Sequence, residues 1–100
     1  MLCAVLVRRL REGVSFEEFR RAWEPDEGFG VPTVVRHARR LDDEREIVSV
    51  GLIDVDADRM PELVERFGAS EARRHESIDR VIESTLFRGV YEVVAEADLT

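Results

Sequence analysis

The segment Glu46–Asp54 is apolar on both of its faces. Alternation puts Ile47, Ser49, Gly51 and Ile53 on one side and Val48, Val50 and Leu52 on the other. The first segment, Leu2–Arg9, has the same character, with Leu2, Ala4 and Leu6 opposite Cys3, Val5 and Val7. A strand in a half-solvated antiparallel sheet alternates apolar with polar residues. Strands of the present kind need cover on both sides, which restricts what the rest of the chain can build around them.

The other elements are few. Ser15-Phe16-Glu17-Glu18 reads as a capping box, opening a short helix over Phe16–Glu24 with Phe16, Phe19 and Trp23 on one face until Pro25 stops it. Asp26–Pro32 carries Gly28, Gly30 and Pro32 and is expected as a loop. Thr33–Leu41 and Glu46–Asp54 predict an antiparallel hairpin around a turn at Asp42–Arg45. From Asp58 to Ser84 the pattern is helical, with a break expected at Gly68 and a restart capped by Ser70. Thr85–Ala95 closes the chain as a last strand.

The order is therefore βαββαβ, an α+β, ferredoxin-like arrangement: a four-stranded antiparallel sheet with both helices on one face. Residues 1–100 are expected to make one domain, with an internal strand–helix–strand pseudo-repeat. Two helices cover one face of the sheet. A second copy is the economical cover for the other, through a symmetric interface, so the chain is expected to be a homodimer.

In element order and in its doubly apolar strands, the whole chain resembles the dimeric α/β-barrel superfamily, in which two such sheets pack face to face. Within it, the chain looks like the small antibiotic-biosynthesis-monooxygenase-like proteins. The resemblance implies a pocket between helices and sheet and an enzyme that acts on an aromatic or polyketide-like molecule without a metal, flavin or other cofactor. Several such monooxygenases use Asn and Trp in the pocket, whereas this chain has no Asn and one Trp. Haem-degrading relatives rely on Asn, Trp and a helix His, for which only His75 is an obvious counterpart, so haem binding has the least support. Ligand-sensing domains share the fold, and a non-catalytic ligand-binding or accessory homodimer is the alternative reading.

The second helix holds the most suggestive group. Met60, Val64, Phe67, Ile78 and Ile82 form its apolar stripe. Glu71 and His75 fall within or beside that stripe, four residues apart, and Arg74 sits at its other margin. A carboxylate beside an imidazole on a core-facing stripe suits acid–base work, with Glu71 orienting His75. The same residues, rotated outward by a break at Gly68, would be surface ion pairs, and both readings stand on the sequence. His37, on the second strand with Arg39 two residues on, is a candidate for an anionic group or for a place at the interface. Trp23 is either core or pocket wall, and Tyr91 has a hydroxyl that needs a partner wherever it is buried.

Charge and cysteine content narrow the rest. The net charge is −7, with 15 basic residues, all Arg, against 22 acidic ones. Nucleic-acid affinity depends on neutralising phosphates, so nucleic acid is not an expected partner. The run Asp54–Glu65 mimics a calcium loop, but Arg59 occupies the position that needs Gly, and no metal is expected there. No apolar run reaches the ~20 residues of a membrane span. Cys3 is the only cysteine, so no intramolecular disulfide forms, and a buried, inert thiol in a cytoplasmic protein is expected.

Overall fold

A computed structural model describes residues 1–25 and 27–100; Asp26, part of the expected loop, lies outside the described residues. The elements follow in the order β1 (Leu2–Leu10), α1 (Phe16–Trp23), β2 (Thr33–Arg40), β3 (Asp43–Ile53), a 3-10 turn (Ala57–Arg59), α2 (Met60–Asp79) and β4 (Ile82–Glu92). The strands pair in the order β2-β3-β1-β4, antiparallel throughout. This α+β architecture, with an open four-stranded antiparallel sheet and two helices, is consistent with the ferredoxin-like arrangement expected from the element order.

Helix α1 starts where its capping box dictates. The Ser15 hydroxyl accepts from the Glu18 backbone N–H at 3.2 Å, and the Glu18 carboxylate accepts from the Ser15 N–H at 3.4 Å. Glu17 in the first turn also pairs with Arg20 at 2.6 Å, a contact between neighbours on the helix surface.

Three local expectations are corrected. Helix α2 runs unbroken from Met60 to Asp79, straight through Gly68, and Ser70 is a buried mid-helix residue rather than a cap. A helical glycine costs only ~1 kcal/mol relative to alanine, which the burial of Phe67 and Ile78 offsets. The helix also ends earlier than its periodicity suggested, and Ile82 opens β4 instead. Ile78 and Ile82 share a core because the chain turns sharply between them, with the Val81 N–H bonded to the Ile78 carbonyl at 2.9 Å. Finally, the hairpin turn is tighter than Asp42–Arg45. Only Leu41 and Asp42 separate β2 from β3, and the register shifts between Arg39 and Arg40.

The helix-side core gathers at one end of the sheet, where Leu10, Phe19, Ile47, Ile78 and Ile82 are buried together with Val14, Phe16, Trp23 and Val81 packed around them. The row Leu2, Ala4, Leu6 expected from alternation continues in β1 through Arg8 to Leu10, and Leu2, Arg8 and Leu10 are buried. Among the described residues, none covers the opposite face of the sheet. It presents Cys3, Val5 and Val7 from β1, paired with Leu52, Val50 and Val48 of β3 on one side and Tyr91, Gly89 and Phe87 of β4 on the other. Phe87 and Tyr91 stack across Gly89, with ring centroids 6.3 Å apart and planes 11° from parallel. A side chain at Gly89 would meet both rings within 3.2 Å, so glycine is what lets them close over the strand. The molecule measures 40 × 39 × 19 Å, one sheet and one helix layer thick. No helix among the described residues is long and apolar enough to cross a membrane.

Candidate functional site

The first two-thirds of α2 stand off the sheet and leave a cavity of about 450 Å³. Its floor is the helix-facing row of the strands, including Ala4, Leu6, Val35, Gly51 and Ile53, and its roof is Met60, Leu63, Val64, Phe67 and Ala72 of α2. Phe29, from the connection between α1 and β2, closes one side by packing edge-on against Phe67 at 6.2 Å. Gly68 also lines the cavity, and nothing lies within 4 Å of where its Cβ would be. A methyl side chain there would meet no other atom. Cavities of a few hundred Å³ with mostly apolar walls and a few polar groups suit small organic ligands.

The polar groups come one turn further along α2. Because the helix is continuous, Glu71, Arg74 and His75 keep the phase of the apolar residues before them, and all three line the cavity. Arg74 forms an ion pair with Glu71, and its guanidinium lies 4.6 Å over the Trp23 ring, which also lines the cavity. His75 Nε2 is 3.7 Å from Glu71 Oε2, an ion-pair distance too long for a good hydrogen bond. Burial pushes the Glu71 carboxyl up, but its interactions with His75 and Arg74 outweigh burial and hold it below the usual carboxylate range. Glu71 is thus an anion at neutral pH, placed to orient His75.

His37 stands behind the cavity wall. Its Nδ1 is 2.7 Å from the hydroxyl of Ser49, a cavity-lining residue. The rings of Trp23, Phe19 and Phe16 surround it at 4.6, 5.5 and 6.1 Å, all edge-on. Burial, then the charges of Arg8 and Arg74, lowers its pKa, so the imidazole is neutral at pH 7. Two other sequence candidates are not brought to the cavity. Arg39 is exposed towards the end of β2, opposite Ile47. Tyr91 lies on the outer face against Phe87, with the sheet between it and the cavity.

The residue that sequence reasoning missed is Arg8. It is 2 % exposed, and among the described residues no hydrogen bond reaches either of its terminal nitrogens. Its guanidinium lies 5.9 Å from the centre of the Phe19 ring. Burial first, then the like charges of Arg74 and Arg88, lowers its pKa to about 10. The Nε of Arg74 is also buried without a partner among the described residues. Arg8-Arg9 reads at first as the polar end of a strand, but the alternation Leu2, Ala4, Leu6, Arg8, Leu10 carried the signal. Arg8 occupies a core position between two leucines.

Arg88, paired with Leu6, lines the cavity from β4 and remains exposed. An acidic chain has therefore gathered three arginines around one end of an apolar cavity, with Glu71 as the only carboxylate lining it among the described residues. No cluster of three or more His, Cys, Asp or Glu side chains that could hold a metal ion occurs among the described residues. Compared with known proteins, the chain matches no family model, no curated protein and no solved structure.

Proposed function

We propose that this protein is a homodimer of the dimeric α/β-barrel kind whose helix-side cavity binds a small, mainly apolar or aromatic molecule and acts on it without a cofactor. The observation that carries this reading is the joining of apolar walls to the Glu71–Arg74–His75 cluster in one cavity of about 450 Å³. A monooxygenase-like reaction fits such a site. His75 would take a proton from an acidic C–H or O–H of an electron-rich aromatic substrate, with Arg74 beside the resulting anion. Dioxygen would accept four electrons in oxidising a CH2 group to a carbonyl, one oxygen atom entering the product and the other leaving as water with the two hydrogens of the CH2 group.

One observation favours the second reading, a non-catalytic binder. The Glu71 carboxylate is already engaged by Arg74, so it steadies the cluster without being a free base. The two readings separate on turnover. A thermal-shift screen of aromatic acids, phenols, quinones and haem should find compounds that stabilise the wild type by mass action. Oxygen consumption is then measured with each hit for the wild type and His75→Ala. An enzyme loses turnover in His75→Ala while the hit still binds; a binder consumes no oxygen in either form. No stabilising compound in the screen would remove the cavity as a site for these classes.

The dimer rests on the outer face. Val5, Val7, Val48 and Val50 form its centre, and Leu52, Phe87 and Tyr91 flank them with 41 %, 42 % and 51 % of their surface exposed. Contiguous apolar faces of this kind on soluble proteins mark interaction sites. A second copy is the occupant that fits. The same face carries Arg36 and Arg40 on β2 and Glu46 on β3, and Arg40 and Glu46 pair within the chain at 3.3 Å, which gives the apolar face a polar rim.

A further inference from the structure

We propose that the polar end of the cavity is a carboxylate subsite, so that the ligand is an amphipathic monocarboxylic acid whose apolar body lies under α2 and whose carboxylate meets Arg8 and Arg74. This rests on the reading of the cavity as a ligand site and names the chemical class of its occupant. Leu6, the preceding helix-facing residue of β1, lines the cavity, as do both of its strand partners, Ser49 and Arg88. Arg8 is the next residue in that row, one step beyond the cavity wall, within the field of the cavity-lining Arg74, Arg88 and Glu71.

Buried charges in folded proteins are normally paired, because an unpaired one has lost its water without replacement. Here three buried guanidinium nitrogens, two on Arg8 and the Nε of Arg74, have no acceptor among the described residues. They leave free donors on two arginines whose charges act on each other. Arg8, Arg74 and Arg88 bring three positive charges and Glu71 and Asp79 two negative, and His37 is neutral. A monoanion balances the remaining charge, whereas a dianionic phosphate would reverse it. The planar fork of a guanidinium matches the two oxygens of a carboxylate. The apolar walls then require the rest of the ligand to be hydrocarbon or aromatic.

Trp23 is the only tryptophan and lines the cavity, so its fluorescence reports occupancy directly. The probes are 4-phenylbutanoate and its uncharged amide, titrated into wild type, Arg8→Met and Arg74→Met. In the wild type the carboxylate should bind about tenfold or more tightly than the amide. Arg8→Met should erase that preference while still binding the amide. Equal binding of the two probes to the wild type, or a preference that survives in Arg8→Met, overturns the subsite and leaves the cavity as a ligand site. No response to either probe overturns both readings. If Arg8→Met does not fold, Arg74→Met carries the same comparison.

Discussion

The guanidinium of Arg74 on α2 lies 4.6 Å over the indole of Trp23 on α1, and this stack ties the two helices together at the polar end of the cavity. The other edge of the arrangement is equally defined, because the Trp23 ring meets His37 edge-on at 4.6 Å. Helix α1, helix α2 and the sheet therefore converge on one aromatic ring. Cation–π contacts of this kind contribute ~0.5–2 kcal/mol, with the larger figure for desolvated pairs. Trp23→Leu should destabilise the chain by about 2 kcal/mol through lost packing and the lost stack. Urea unfolding measures the change. A cost below a few tenths of a kcal/mol would mean that the ring does not join the helices.

Arg8→Met should make the unliganded protein more stable. The substitution keeps a long side chain in the buried slot and removes a charge that no described residue pairs. Replacing buried ionic groups by apolar ones of similar volume has stabilised proteins by ~1–4 kcal/mol, and a gain of about 1–2 kcal/mol in urea unfolding is expected here. A loss of stability would show that the guanidinium is satisfied in solution, for example by trapped water.

The neutral state of His37 gives the stability a pH dependence with a definite sign. Its folded pKa lies below the usual 6.5, so the unfolded chain binds more protons than the folded one as the pH falls through 6.5 towards the folded value. Stability contributed by the neutral ring is fully present above pH 6.5 and is lost on acidification through that window. Glu71 has a lowered pKa too, but its usual value is 4.5, so its loss comes at lower pH. Melting temperatures of wild type and His37→Phe between pH 7.5 and 5 should diverge, the wild type falling more steeply. Parallel curves would contradict the buried neutral imidazole.

Gly68 separates volume from fold. Its Cβ position is open and the residue lines the cavity, so Gly68→Ala should stabilise α2 by up to about 1 kcal/mol through helix propensity alone. Gly68→Leu should keep the fold but fill the cavity, abolishing the response of Trp23 to any ligand found. A Gly68→Leu variant that binds as the wild type does would place the binding site elsewhere.

Val50→Glu addresses the outer face. Val50 pairs with Val5 at the centre of the apolar sheet surface, and a carboxylate there would face its own copy across a two-fold axis. Sedimentation should show a dimeric wild type and a monomeric variant with unchanged far-ultraviolet circular dichroism. A wild type that sediments as a monomer at micromolar concentration would remove the dimer.

Much of this arrangement was legible because strand alternation and helix capping are local. The faces of β1 and β3 follow from period two, and the start of α1 follows from Ser15 and Glu18. Gly68 misled because propensity is a weak local term and the burial of Phe67 and Ile78 is a tertiary one. The end of α2 was misplaced because Ile78, Val81 and Ile82 fit a helical stripe as well as they fit a turn into a strand. The continuity of α2 was the missing fact for the candidate site, since it alone sets whether Glu71, Arg74 and His75 share a face with Phe67. Arg8 was hidden for another reason. A charged residue beside a second arginine reads as solvent-exposed unless the alternation is followed through it to Leu10.

The register shift in the pairing of β1 with β4 falls between Val7 and Arg8, where Val7 opposes Phe87 and Arg8 opposes Thr85. Adjacent residues of one strand thus serve opposite sides of the sheet at an irregular step: Val7 on the bare outer surface, Arg8 beside the cavity. One peptide bond therefore joins the outer surface to the buried guanidinium. Deletion of a single residue in β1 would exchange the two surfaces.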